Sequence, residues 1–83
     1  MAKVLVVDDA LFVRAAIKKY VEKAGHEVIA EAGDGQEAVE VFEEVKPDAA
    51  IMDITMPRMS GLEALKAIKE IDPDVKVIMC SAM

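Results

Sequence analysis

The chain has 83 residues, 54% of them hydrophobic, and a formal net charge of −6 from 10 Lys+Arg against 16 Asp+Glu. That is one small domain, 1–83, too apolar for a disordered segment. Its acidity and its lack of a basic stripe exclude a phosphate-backbone binder, and two Phe and one Tyr leave little for stacking on single strands.

No apolar run approaches the length of a membrane span. The first residues enter a strand with no leader-like segment. The single Cys80 permits no internal disulfide, which fits a reducing cytoplasm. A protein partner or a cation suits the negative charge best.

Strand and helix patterns then alternate without linker, repeat or low-complexity tract. A first strand is expected at Lys3 to Asp8, around the run Val4-Leu5-Val6-Val7. Helix spacing of Val13, Ile17, Tyr20/Val21 and Ala24 predicts a first helix over Ala10 to Ala24, ended by Gly25. Glu27 to Glu31 is a short second strand with polar ends, as befits a sheet edge. Asp34 followed by Glu37 predicts a capped second helix running to Val45 and burying Ala38, Val41, Phe42 and Val45.

The third strand, Asp48 to Asp53, again ends on an acid, and a loop from Ile54 to Arg58 or Met59 follows. Ser60 and Glu63 form a second capping-box signature for a helix carrying Leu65, Ile68 and Ile71, which Pro73 stops. Val75 to Cys80 is the fourth strand. Apolar runs of this kind between helices imply an α/β fold with a parallel sheet and right-handed crossovers.

Asp8, Asp9 and Asp53 all stand at the ends of buried strands, where open α/β sheets bind ligands. Each has a plainer reading. One of Asp8 and Asp9 caps the first helix, and Asp53 opens a turn. Together they gain weight if the first and third strands are neighbours, because the carboxyls then converge on one crevice. Clustered acids repel each other unless a proton or cation joins them, and an all-oxygen, highly charged set suits Mg²⁺. A carboxylate beside such an ion can act as a nucleophile toward phosphorus.

Ser81, at the tip of the fourth strand, is either a turn residue or a donor to a phosphoryl oxygen. Met56, Pro57 and Met59 are expected to pack locally. His26 is expected to be a solvated capping residue at the first helix's end rather than a base. Arg58 is a surface cation or a partner contact.

Val4-Leu5-Val6-Val7-Asp8-Asp9, Met52-Asp53-Ile54-Thr55-Met56-Pro57-Arg58-Met59-Ser60-Gly61 and Cys80-Ser81-Ala82 together resemble the receiver domain of two-component response regulators, in particular its chemotaxis (CheY-like) branch. The likeness spans the whole chain, and Asp-x-x-Met-Pro-x-Met-x-Gly is highly specific to the family. It implies a flavodoxin-like fold, here a partial (βα)₃β sheet in order 2-1-3-4.

By position, the resemblance makes Asp53 the acceptor of a phosphoryl group from a histidine kinase or a small phosphodonor. Asp9 becomes the principal Mg²⁺ ligand, with Asp8 assisting through water, Asp53 adding an oxygen and the backbone carbonyl of Thr55 completing the protein ligands. Ser81 matches the hydroxyl that contacts the phosphoryl group. The family acts as a phosphoacceptor in signalling, not as an enzyme on separate substrates. The alternative of an aspartate-nucleophile phosphohydrolase fits poorly, because Asp8 and Asp9 are adjacent and Thr55, not Asp, stands two after Asp53.

A complete receiver continues through helix four, strand five with its phosphate-neutralising lysine, and helix five. The chain is expected to lack these, with impaired phosphoryl chemistry and an exposed fourth strand. Each large apolar side chain left bare forfeits roughly 1.5–3 kcal/mol of burial. A homodimer through the fourth-strand edge or the helix-five face is therefore expected. The competing reading is an engineered or reconstructed half-domain that self-assembles without signalling.

Overall fold

A computed structural model describes residues 1–54 and 59–80. Its elements in chain order are β1 (Lys3–Val7), α1 (Leu11–Lys23), β2 (Glu27–Ala32), α2 (Gly35–Val45), β3 (Ala49–Asp53), α3 (Gly61–Ile71) and β4 (Lys76–Cys80). The strands form one parallel sheet in the order β2-β1-β3-β4, the flavodoxin-like arrangement expected. Boundaries differ from the sequence reading by a residue or so: β1 stops at Val7, β2 reaches Ala32, and β4 begins at Lys76 although Val75 is buried.

Strand alternation sorts the apolar residues onto two faces. Leu5 and Val7 of β1, with Ala50 and Met52 of β3, meet Ala38 and Phe42 of α2 and Ala64 and Ile68 of α3. On the opposite face Val4 and Val6 meet Val21 of α1, supported by Ile17, Val28 and Ile51. β1 is thus buried on both sides, which is why its sequence is an unbroken aliphatic run.

β2 carries an irregularity. Val4 pairs with Val28 but Leu5 pairs with Ala30, so Ile29 is skipped. The extra residue changes the phase of the strand. Val28 joins the α1 face, whereas Ala30 and Ala32 join the α2–α3 face.

Helix ends follow their local chemistry. Gly25 has φ +89°, and the amides of Gly25 and His26 return to the carbonyls of Glu22 and Val21, a Schellman closure of α1. Asp34 caps α2 by accepting from the Glu37 amide at 2.8 Å. The Glu37 carboxylate does not complete a capping box on Asp34; it accepts from the Gly33 amide at 2.6 Å. α2 closes on Lys46 in the left-handed region, φ 47°. The full capping box of Ser60 and Glu63 at α3 is present.

Three expectations are corrected. Neither Asp8 nor Asp9 caps α1: its N-cap is Ala10, with no side-chain bond. Tyr20 is 74% exposed and Ala24 is exposed, because α1 turns Arg14, Ile17 and Val21 inward instead. Ile71 reaches the surface at the last residue of α3, and Val41 and Val45 are only partly buried.

β4 is an edge strand. Val77 and Met79 pack against the α2–α3 core, whereas Lys76, Ile78 and Cys80 are exposed.

Candidate functional site

Register brings the acids together. β1 and β3 run parallel with Val7 opposite Met52, so the next residues, Asp8 and Asp53, emerge side by side at the carboxyl end of the sheet. Asp9 follows at once. One carboxylate oxygen from each of Asp8, Asp9 and Asp53 lies within 4.8 Å of the others. Asp8 and Asp53 are each only 5% exposed, while Asp9 faces solvent.

Asp8 has a second task. Its Oδ1 accepts from the Ala10 amide at 2.9 Å, tying the carboxylate into the turn that leads to α1. Burial, above all, raises its pKa from the ordinary 3.8; the charges of Asp53 and Asp9 add to the rise, and the Ala10 hydrogen bond opposes it. The group is thus held where its charge is costly and is stabilised by any cation the cluster gains.

Arg14 braces the same turn, a role the sequence reading missed. Its Nη1 donates to the Asp8 backbone carbonyl at 2.5 Å, and its Nε pairs with the Glu31 carboxylate of β2 at 3.2 Å. The available signal was a guanidinium sharing the inward stripe of α1 with Ile17 and Val21. Glu31 faces α1 because the skipped Ile29 shifts the phase of β2.

Two glycines set the approach of the segment after Asp53, and neither role was legible beforehand. A Cβ on Gly61 would stand 2.9 Å from the Ile54 Cα and nearer still to the Asp53 carbonyl oxygen. The Gly61 amide donates to the Ile54 carbonyl at 2.9 Å, and the Ile54 amide donates to the Cys80 carbonyl at 3.0 Å. Gly35 makes a comparable close approach to Met59.

Asp53 pairs in register with Cys80. Thr55, Met56, Pro57, Arg58 and Ser81 lie outside the described residues. Met59 packs partly buried against the main core, as expected of it. His26 does not cap α1 with its ring; its Nδ1 accepts from the Ala2 amide at 2.9 Å, far from any catalytic use.

The donor set is chemically selective. Three carboxylates with no nitrogen or sulfur donor among them favour a hard divalent cation, and Mg²⁺, with bonds of about 2.0–2.1 Å and several retained waters, fits a cluster of this span.

The sequence model of the response regulator receiver domain matches residues 4–83. The chemotaxis protein CheY of Thermotoga maritima is 56% identical over 81 residues, 98% of this chain and 68% of that protein. CheY of Listeria monocytogenes is 58% identical over 83 residues, all of this chain and 70% of that one.

Among solved structures, the CheX–CheY–BeF₃–Mg²⁺ complex from Borrelia burgdorferi superposes with a TM-score of 0.93 at 37% identity, covering 98% of this chain and 62% of that one. The response regulator domain of Thermotoga maritima CheB gives 0.90 at 46% identity, covering 96% and 60%. The chain therefore spans somewhat over two thirds of those curated relatives and somewhat less of those structures.

Proposed function

The chain belongs to the response regulator receiver domains of two-component signalling, on the chemotaxis CheY-like side of the family, and from that premise we propose that Asp53 is a phosphoacceptor served by Mg²⁺. The observation that carries the proposal is the convergence of the Asp8, Asp9 and Asp53 carboxylates at the ends of two adjacent strands. When bound, the ion neutralises charge on the transferring phosphoryl group.

Asp9, the exposed member, would be the principal ligand, with Asp8 assisting through water and Asp53 offering an oxygen to the ion while serving as the acceptor. By the family likeness, the Thr55 carbonyl would complete the ligand set and the Ser81 hydroxyl would donate to the phosphoryl group. In the transfer, an Asp53 oxygen forms a bond to phosphorus as the bond to the donor breaks. The donor is the phosphohistidine of a histidine kinase, whose imidazole leaves with a proton from solvent, or a small acyl phosphate, which leaves as a carboxylate.

The chain acts as a signalling module rather than as an enzyme on separate substrates. Its methylesterase relative from Archaeoglobus fulgidus, 48% identical over 79 residues, is matched over only 23% of its own length, which supports that division. No described helix is long and apolar enough to cross a membrane, and the lone Cys80 is free; both accord with work in the cytoplasm.

Beryllofluoride with Mg²⁺ tests the reading. Amide resonances around Asp9 and Ile54 shift in the wild type on adding both, and Asp53→Asn removes the beryllofluoride response. An unresponsive wild type would sink the proposal.

A second reading draws on a separate observation, the exposure of Ile78 on the β4 edge, 55%. An apolar edge strand is a template for pairing, so the chain self-associates as a homodimer through β4. In the strongest form of this reading it is an engineered or reconstructed self-assembling piece, with no signalling role and impaired phosphoryl chemistry. Light scattering on the eluting protein separates dimer from monomer, and a beryllofluoride response in the dimer would discard the strong form.

A further inference from the structure

Met59, two residues ahead of α3, rests on another element. A Cβ built on Gly35, the first residue of α2, would stand 2.8 Å from both the carbonyl carbon and the Cβ of Met59, and nearer still to the Met59 carbonyl oxygen. The obstacle is backbone, so it cannot swing aside as a side chain would. Close-packed interiors absorb such bulk only by moving.

Conformation does not require the glycine. Among the described glycines only Gly25 has a positive φ, so Gly35 is there for the room it leaves.

Both partners in this contact are fixed. The first turn of α2 is held by the Asp34 cap on the Glu37 amide and by the Glu37 carboxylate on the Gly33 amide. Met59 is packed against the main core. Two residues on, Gly61 is seated against Asp53 and Ile54. The entry to α3, residues 59–61, is therefore gripped at two places, one beside the acids and one on a helix that contributes none of them.

We propose that Gly35 is a positioning residue for the acidic site: by admitting the Met59 backbone, the first turn of α2 sets how Met59 leads into Gly61, which rests on Asp53 and Ile54. The inference rests on the reading that the three aspartates bind Mg²⁺. A methyl group at Gly35 pushes Met59 outward by about 1 Å, a displacement of the size that degrades a preorganised site severely. Linkage makes the coupling reciprocal, so Mg²⁺ at the acids is also felt at the start of α2.

Gly33 supplies the control. A Cβ there would meet only the far ends of two side chains, Arg14 Nη1 at 3.4 Å and Glu37 Oε1 at 3.6 Å. Mg²⁺ is titrated into the wild type, Gly35→Ala and Gly33→Ala while the amide resonances of Asp9, Ile54 and Gly35 are followed, with denaturant unfolding of each chain alongside.

The expected result is Gly33→Ala within twofold of wild type, and Gly35→Ala still cooperatively folded but binding at least tenfold more weakly. The wild-type Gly35 amide shifts along the same isotherm as Asp9. Wild-type affinity in Gly35→Ala, an equal loss in Gly33→Ala, or a loss that merely tracks the unfolded fraction overturns the inference. Should Gly35→Ala fail to fold, the wild-type Gly35 amide decides, and its silence while Asp9 responds is fatal. No Mg²⁺ response at Asp9 in the wild type defeats the metal reading itself, and the inference with it.

Discussion

Asp8 is nearly buried beside two other acids, and the consequence for stability has a definite sign. Its raised pKa means that the folded chain retains a proton the unfolded chain has already released. Without metal, the stability linked to this group is intact below the ordinary value of 3.8 and is lost as pH rises from there through the higher native value. Asp8→Asn keeps an oxygen for the Ala10 amide and removes the charge. At about pH 7 in chelator its thermal midpoint should exceed that of wild type, the gain vanishing near about pH 3. In Mg²⁺ the order reverses, because binding stabilises only the chain that holds the ion, and affinity in the variant falls roughly tenfold or more. Circular-dichroism melts with and without Mg²⁺ across that pH range check each part.

What could be read at this scale was the acids themselves, since Asp8, Asp9 and Asp53 close aliphatic runs and need only adjacent strands to meet. Arg14 escaped because its use depends on Glu31, a partner 17 residues away. Gly35 and Gly61 escaped because an atom that must be missing leaves no pattern in composition or spacing.

Elements were most legible where a single residue dictates the outcome. Ser60 with Glu63, Asp34 ahead of α2 and Gly25 after α1 each fixed a helix end in the sequence and do so in the structure. The start of α1 was misjudged because Asp8 spends its oxygen on the Ala10 amide within a turn, so a good capping residue two positions early does not cap. Tyr20 and Val21 were alternatives for one inward position, and Val21 takes it, because only one of two adjacent residues can face the sheet.

Lys46 is the element-scale oddity, a side chain in the left-handed region at the end of α2 with φ 47°. That conformation costs a residue with a Cβ about 1–2 kcal/mol, and glycine regains it less some 0.4–1 kcal/mol of unfolded-chain freedom. Lys46→Gly should therefore stabilise the fold by about 0.5–1 kcal/mol, read as a higher urea midpoint with unchanged slope. A lower midpoint would contradict the strain argument.

At the scale of the molecule, alternation of strands and helices announced a parallel sheet, but the order β2-β1-β3-β4 came only through resemblance. Adjacency of β1 and β3 is a long-range choice that no local run encodes. The same order leaves Ile78 exposed on the β4 edge. A charge at that position blunts edge pairing without touching the core. Under the reading of self-association through β4, Ile78→Lys should lower the apparent mass in concentration-dependent light scattering while changing stability by no more than about 0.5 kcal/mol. A dimer that survives the substitution places the contact elsewhere.

The residue that β2 skips has a reach beyond the strand. Because the pairing of β1 already passes over Ile29, losing that one codon would leave Val28 opposite Val4 and Glu31 opposite Val6, still turned toward Arg14. Drawing Ile29 into regular alternation instead would turn an anionic group toward the greasy interior and strip the guanidinium of its counterpart in the same stroke.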